Sequence, residues 1–304
     1  MSKTDKKICI WSLSDGKSGH INQTEGLIQA LSQYREIELV NMPILSRYKA
    51  LLMITLKRFA KLNLKLPDLI IGTGHRTHLS LLAYKRISES RVVIMMSPSL
   101  PTYLFDLCLI PRHDKPKVAD NIIETMGAIN RIIPSTLESP DNGLILLGGP
   151  SKHYSWDTSH VLKQVETLIV NSDEIQWTIA SSRRTPENIK NEINERFPAV
   201  TFVLAKETST EWLPKKMQES GQIWVTEDSV SMVYEALTAG AKTGILRLSV
   251  KNQTRVTKEI DRLVSGGYLS MTPPYTDEGT SQKEFEGLYE SDRCSKLLLE
   301  KFDL

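Results

Sequence analysis

The sequence predicts a parallel α/β protein built from two Rossmann-like, doubly wound domains. Three observations carry this. Short β-rich runs alternate with helical stretches along the chain. Several runs, such as Leu69-Ile70-Ile71 and Val92-Val93-Ile94-Met95-Met96, are almost wholly apolar, as strands covered on both faces must be. The alternation also stops at Arg131–Gly143, which holds two prolines, a glycine and small polar residues, and then restarts.

In the first half, strands are predicted over Ile8–Ser14, Ile37–Met42, Leu69–Gly74, Val92–Met96 and Leu107–Ile110. Between them lie helical patterns at Ile21–Tyr34, Arg47–Leu62 and Thr77–Ile87. In the second half, strands fall at Leu144–Gly148, Ile175–Ala180, Val200–Leu204, Ile223–Thr226 and Thr243–Leu248. Helices follow at Ser159–Val170, Pro186–Arg196, Glu211–Glu219, Val230–Ala239 and Gln253–Val264. Pro186 suits a first helical turn, and Gly240 ends the helix before it. The expected domains are 1–138 and 139–285, with 286–304 a terminal helix packing back on the first.

Composition narrows the function classes. The 304 residues carry 38 Lys and Arg against 36 Asp and Glu, a formal charge of +2, which argues against a general nucleic-acid binder. Cys9, Cys108 and Cys294 are far apart, so neither a disulfide scaffold nor a zinc ribbon is expected. No metal site is expected either: there is no C-x-x-C pair, D-x-D triplet or His-rich helix face. Met1–Lys7 is polar and leads into too short an apolar run for a signal segment, and no run is long enough to span a bilayer. The expected location is the cytoplasm.

In doubly wound sheets ligands bind beyond the carboxyl ends of the strands, and the loops there are unusual. Ser14-Asp15-Gly16-Lys17-Ser18-Gly19-His20 follows the first strand. It lacks the first glycine of a P-loop, because Trp11 holds that position, and it lacks G-x-G-x-x-G spacing. His20 can take a proton from a hydroxyl, or simply bond the backbone. Candidate catalytic residues are His20 and Asp15. Gly72-Thr73-Gly74-His75-Arg76-Thr77 ends the third strand and suits an anionic or polyhydroxyl ligand, or is a tight turn with exposed polar groups. Ser97-Pro98-Ser99 ends the fourth strand and borders the same region. His78 and His113 read as surface or satisfied histidines.

The second domain opens with Gly148-Gly149-Pro150-Ser151-Lys152-His153-Tyr154, where backbone amides, a hydroxyl and a cation can face phosphate. Ser181-Ser182-Arg183-Arg184-Thr185-Pro186 ends the next strand, and arginine forks match diphosphate oxygens. In Thr226-Glu227-Asp228-Ser229-Val230-Ser231, Ser229 and Ser231 sit in a helix's first turn, where the dipole favours phosphate. Glu235, further along that helix, can accept both hydrogen bonds of a ribose diol. The plainer reading makes Asp228 or Ser229 an N-cap and Glu235 a surface residue. Separately, 47–62 holds five Lys or Arg and no acid among apolar residues. It reads either as an anchor for an anionic membrane surface or as a crossover helix with solvated lysines.

These loops together resemble the bacterial members of the mitochondrial-fission "elongated mitochondria" family, whose members are similar to GT-B glycosyltransferases. The matching stretches are Asp15–Gln23, Gly72–Thr77, Gly148–Tyr154, Ser182–Pro186 and Thr226–Met232. The resemblance implies two Rossmann-like domains facing across a cleft, with the acceptor on the first and a nucleotide sugar on the second. It also implies chemistry without a cofactor beyond the nucleotide-diphosphate sugar as co-substrate. Lipid II-forming N-acetylglucosaminyltransferases look similar in their glycine-rich first loop ending in His, which assigns the general base to His20. By the same likeness Gly148, Gly149, Ser151, Ser229 and Glu235 face the donor, and the chemistry of their loops adds Lys152, Arg183, Arg184, Thr185, Asp228 and Ser231. The acceptor side falls to Gly19, Asn22, Gln23, Thr73, His75, Arg76 and Ser97. The likeness departs at Ile21-Asn22-Gln23, which leaves the acceptor open.

The expected function is therefore metal-independent transfer of a sugar from a nucleotide-diphosphate sugar to a cell-envelope glycan or lipid-linked acceptor. A peripheral site on the inner face of the cell membrane would suit the basic helix. The alternatives are a non-catalytic GT-B scaffold or a nucleotide-sugar epimerase.

Overall fold

The computed structural model describes residues 7–56, 64–135, 141–271 and 288–304. The chain divides into two units, one of Met1–Arg131 with Tyr289–Leu304, the other of Ile132–Leu288.

Unit 1 contains β1 (Lys7–Ser14), α1 (Ser18–Leu31), β2 (Glu36–Asn41), α2 (Arg47–Leu56), β3 (Leu69–Thr73) and α3 (His78–Ser88). These are followed by β4 (Arg91–Met95), β5 (Leu107–Pro111), β6 (Ile122–Thr125) and, from the chain's end, α9 (Glu290–Phe302). Its strands form one parallel sheet in the order β2-β1-β3-β4-β5-β6. Strand periodicity sorts β1 between two cores. Cys9, Trp11 and Leu13 pack with Met53 of α2 and with Leu81 and Tyr84 of α3. Ile8 and Ile10 pack on the other face, against Leu27 and Leu31 of α1 and Cys294 and Leu298 of α9. The last helix is tied down by polar bonds as well: Tyr34 Oη donates to Asp292, and Glu290 accepts the Met126 N–H at 3.0 Å.

Unit 2 contains β7 (Asn142–Leu147), β8 (Tyr154–Ser155), α4 (Thr158–Val170), β9 (Gln176–Ser181), α5 (Ile189–Arg196) and β10 (Thr201–Val203). It continues with α6 (Trp212–Gln218), β11 (Gln222–Thr226), α7 (Val230–Ala239), β12 (Lys242–Leu246), β13 (Ser249–Val250) and α8 (Arg255–Ser265). The parallel sheet runs β10-β9-β7-β11-β12, and β8 pairs with β13 as a small antiparallel ribbon. Its core gathers Ile145, Leu147, Leu162, Ile179, Trp224 and Leu246.

The structure differs from the sequence reading in a few places. Helix α1 starts at Ser18, so Gly19 and His20 lie in its first turn rather than ahead of it. Helix α5 starts at Ile189; Pro186 sits in the preceding turn, where its carbonyl accepts the Ile189 N–H at 3.2 Å. Strand β6, with one buried residue, is a short edge strand and lacks the apolar run that marks the central ones. The last residues of the predicted 47–62 helix lie outside the described residues.

Candidate functional site

Both sheets reverse their strand order at one point. In unit 1 the chain runs outward from β1 to β2 and returns to β3 on the other side of β1. In unit 2 it runs from β7 out to β10 and returns to β11. At such switch points the loops leave in opposite directions and open a crevice at the carboxyl edge. The loops after β1, β3, β7 and β11 flank these points and carry most of the polar residues singled out above, joined by Arg183–Thr185 after β9 and Ser97 after β4.

In unit 1, Gly16 takes φ +82° and turns the chain from β1 into α1. The turn lays the Asp15 carboxylate under the ring of His20, with Oδ1 at 2.9 Å from Nδ1. The Asp15 side chain is fully buried and that of His20 is mostly so. Burial works against ionising Asp15. The bonds from His20 and from the Lys17 N–H, with the charges of both residues, outweigh it and hold the carboxyl below its ordinary range. An ionised carboxylate accepts only, so the proton between the two groups is donated by Nδ1.

The β3 loop closes over this pair. Gly74 has φ +88°, and a Cβ built on it would lie 2.5 Å from His20 Cε1 and Nδ1. Thr24 donates to the His20 carbonyl at 3.1 Å and meets Thr73 Oγ1 at 2.8 Å. The structure thus brings Asp15, His20 and Thr73 together. Gly19, in the first turn of α1, is exposed, as are His75, Arg76 and Ser97 beyond the strand ends. Asn22 instead accepts from Arg131 Nε at 3.1 Å, and Gln23 is buried in α1. His78 is a buried, satisfied histidine, 3.2 Å from Ser99 Oγ, and burial followed by the charge of His75 lowers it to about 4.

Unit 2 is knotted around Asp228. Its side chain is fully buried, and Oδ2 lies 2.7 Å from Arg184 Nη2. The same oxygen accepts the Gly149 N–H at 3.1 Å, while Oδ1 accepts Thr226 Oγ1 at 2.8 Å. Thr226 in turn accepts the Gly148 N–H at 2.7 Å. Both glycine amides therefore point inward, onto β11. A Cβ on Gly148 would lie 2.2 Å from Asp228 Oδ1, and one on Gly149 would lie 2.1 Å from the Arg184 carbonyl oxygen. Thr185 stitches the neighbouring loop to the same place: its hydroxyl lies 2.6 Å from the Gly148 carbonyl and accepts the Ser182 N–H at 2.7 Å.

Around this knot, Lys152 and Arg183 are exposed, and Ser151 Oγ accepts the N–H groups of His153 and Tyr154. Ser229 holds the N-cap position of α7 without its hydroxyl capping the helix, Ser231 is exposed in the first turn, and Glu235 is half-buried further along. Two residues escape a reading by local pattern. Lys251 reaches the Ser151 carbonyl at 3.1 Å, brought there by the β8–β13 ribbon across 100 residues of sequence. Glu227 is buried at the end of β11, where it accepts the Leu248 N–H and pairs with Arg247 at 3.1 Å. Burial, opposed by those two contacts, leaves its carboxyl raised. Among the described residues no three His, Cys, Asp or Glu side chains converge to hold a metal ion.

The model of the mitochondrial fission ELM1 family matches residues 18–302, so the chain belongs to that family. An uncharacterized protein, RP120, of Rickettsia prowazekii (strain Madrid E) is 25% identical over 287 residues, which cover 76% of this chain and 81% of that one. The crystal structure of UDP-GlcNAc 2-epimerase from Neisseria meningitidis, bound to UDP-GlcNAc, is similar with a TM-score of 0.54 and 13% identity, covering 97% of this chain and 99% of that one. The glycotransferase of kitacinnamycin is similar with a TM-score of 0.54 and 11% identity, covering 98% and 100%. At such identities these likenesses establish the fold alone, which is of the GT-B type.

Proposed function

From membership of this family and from the two switch-point clusters, we propose that the chain is a metal-independent glycosyltransferase. It moves a sugar from a nucleotide-diphosphate-sugar donor on unit 2 to a glycan or lipid-linked acceptor on unit 1. The observation that carries the reading is the Asp15–His20 pair: a buried carboxylate 2.9 Å from Nδ1 fixes the ring, and the base of the proposed step is the other nitrogen, Nε2.

The step balances without further groups. The acceptor hydroxyl gives its proton to His20 Nε2 as its oxygen bonds to the anomeric carbon. The bond from that carbon to the diphosphate oxygen breaks, and its electron pair leaves with the diphosphate. Asp15 stabilises the imidazolium that forms. On unit 2, Arg183, Arg184 and Lys152 meet the departing charge, with Lys251 beside them. The unpaired first-turn amides of α7 and the hydroxyls of Ser229 and Ser231 add to it. Glu235 accepts from the ribose hydroxyls. Asp228, Thr226 and Thr185 hold Arg184 and the glycine loop in place.

A thermal-shift screen of nucleoside-diphosphate sugars tests this. The reading expects one donor to raise the melting temperature, with no product until an acceptor is added. No shift with any donor would favour a non-catalytic scaffold, and turnover of the donor in water alone would favour an epimerase.

A further inference from the structure

Residues 39–67 contain no Asp or Glu in 29 residues, but six Lys or Arg, in a chain whose charges otherwise nearly cancel. Six of the twelve large apolar side chains exposed among the described residues fall in the same stretch: Leu39, Tyr48, Leu51, Leu56, Leu64 and Leu66. Their exposures run from 43% to 78%, so they are not core residues grazing the surface. Helix α2 buries Ala50 and Met53 in the core it shares with α3. At helical spacing, Tyr48, Leu51 and Thr55 share the opposite side, flanked by Arg47 and Lys49. The helix therefore does both things: it is a crossover helix, and it presents a second, unpartnered apolar face.

We propose that this face docks on an anionic lipid surface. A helix with an exposed apolar face, Arg47 and Lys49 at its start and no acid along its length is complementary to acyl chains under anionic headgroups. A protein partner fits less well, because lysine is depleted from protein interfaces. Among the described residues no helix is long and apolar enough to cross a membrane, so α2 lies along the surface. Lys65 contributes least, being paired with Glu38 at 3.0 Å, and Lys57, Arg58 and Lys61 lie outside the described residues. The α2 helix opens just beyond the carboxyl end of β2, next to β1, so the docked face begins at the same sheet edge as His20.

Sedimentation of the full chain with vesicles tests this. The chain should pellet with phosphatidylcholine containing roughly one-third phosphatidylglycerol, not with phosphatidylcholine alone, and less so as salt rises. Arg47→Glu with Lys49→Glu should weaken binding at least tenfold, since each cation is worth about fivefold. Leu51→Ser with Leu56→Ser should abolish it while the circular dichroism spectrum stays native, and Val118→Ser, an exposed apolar site elsewhere on unit 1, should change nothing. The proposal fails if the wild type stays in the supernatant with anionic vesicles, or if the Leu51/Leu56 variant pellets as well as wild type. It fails equally if the face instead drives a concentration-dependent dimer that the variant abolishes in the absence of any vesicle binding.

Discussion

Replacing Asp228 by Ala removes the acceptor around which the unit 2 loops are tied. The Gly149 N–H and the Thr226 hydroxyl then lose their partner inside the protein. Each buried, unsatisfied donor costs about 1–3 kcal/mol, so the pair costs about 4 kcal/mol. Arg184, 41% exposed, recovers water and adds little. Four of the five tryptophans, Trp156, Trp177, Trp212 and Trp224, lie in unit 2, so urea unfolding followed by fluorescence reports mainly on that unit. With a slope of about 2 kcal/mol/M, the midpoint should fall by about 2 M. Arg184→Ala should cost less, about 1–2 kcal/mol, because Asp228 keeps its two other donors. An Asp228→Ala midpoint within about 0.5 M of wild type would refute the reasoning.

Other perturbations have equally definite outcomes. Asp15→Asn removes the negative charge beside His20 and offers Nδ1 an amide N–H, which disfavours the tautomer with the proton on Nδ1, and should lower turnover by about 10²–10⁴-fold with little change in donor affinity, as steady-state kinetics would show. Because the folded pKa of Asp15 is lowered, its contribution to stability is present above its ordinary value of 3.8 and is lost as pH falls through the folded value. His78 is the opposite kind of group: held neutral, with its pKa lowered from 6.5 to about 4, it stabilises the fold above pH 6.5. That contribution, roughly 3 kcal/mol, drains away between pH 6.5 and about 4, and His78→Asn should flatten this part of the pH–stability curve. Gly74→Ala puts a methyl group 2.5 Å from the His20 ring at a positive φ, so it should cost about 1–2 kcal/mol in a thermal melt and depress turnover with it.

The parts of the fold legible in the sequence were those whose signal is local. Strands β3, β4 and β7 sit in the middle of their sheets, need apolar residues on both faces, and so read as unbroken apolar runs. The loops at the switch points stood out for a related reason: Gly16, Gly74 and Gly148-Gly149 are forced by backbone turns or close approach, and polar residues cluster only where strands end. Edge strand β6 and the β8–β13 ribbon gave no such run. Nor can periodicity show contacts between loops far apart in sequence. That the glycine amides turn inward onto Thr226 and Asp228, that Lys251 reaches the Ser151 loop, and that Gly74 covers His20 all depend on which strands become neighbours.

The proposed function depends on a nucleotide-sugar donor and on His20 as the base. The most direct measurement compares wild type with His20→Ala for one nucleotide-sugar donor, pairing calorimetric binding with release of nucleoside diphosphate in the presence of an acceptor. Equal affinity is expected in the two proteins, with release at least about 100-fold slower in the variant. A wild type that binds no donor, or a His20→Ala variant that releases the diphosphate at the wild-type rate, would overturn the proposed function.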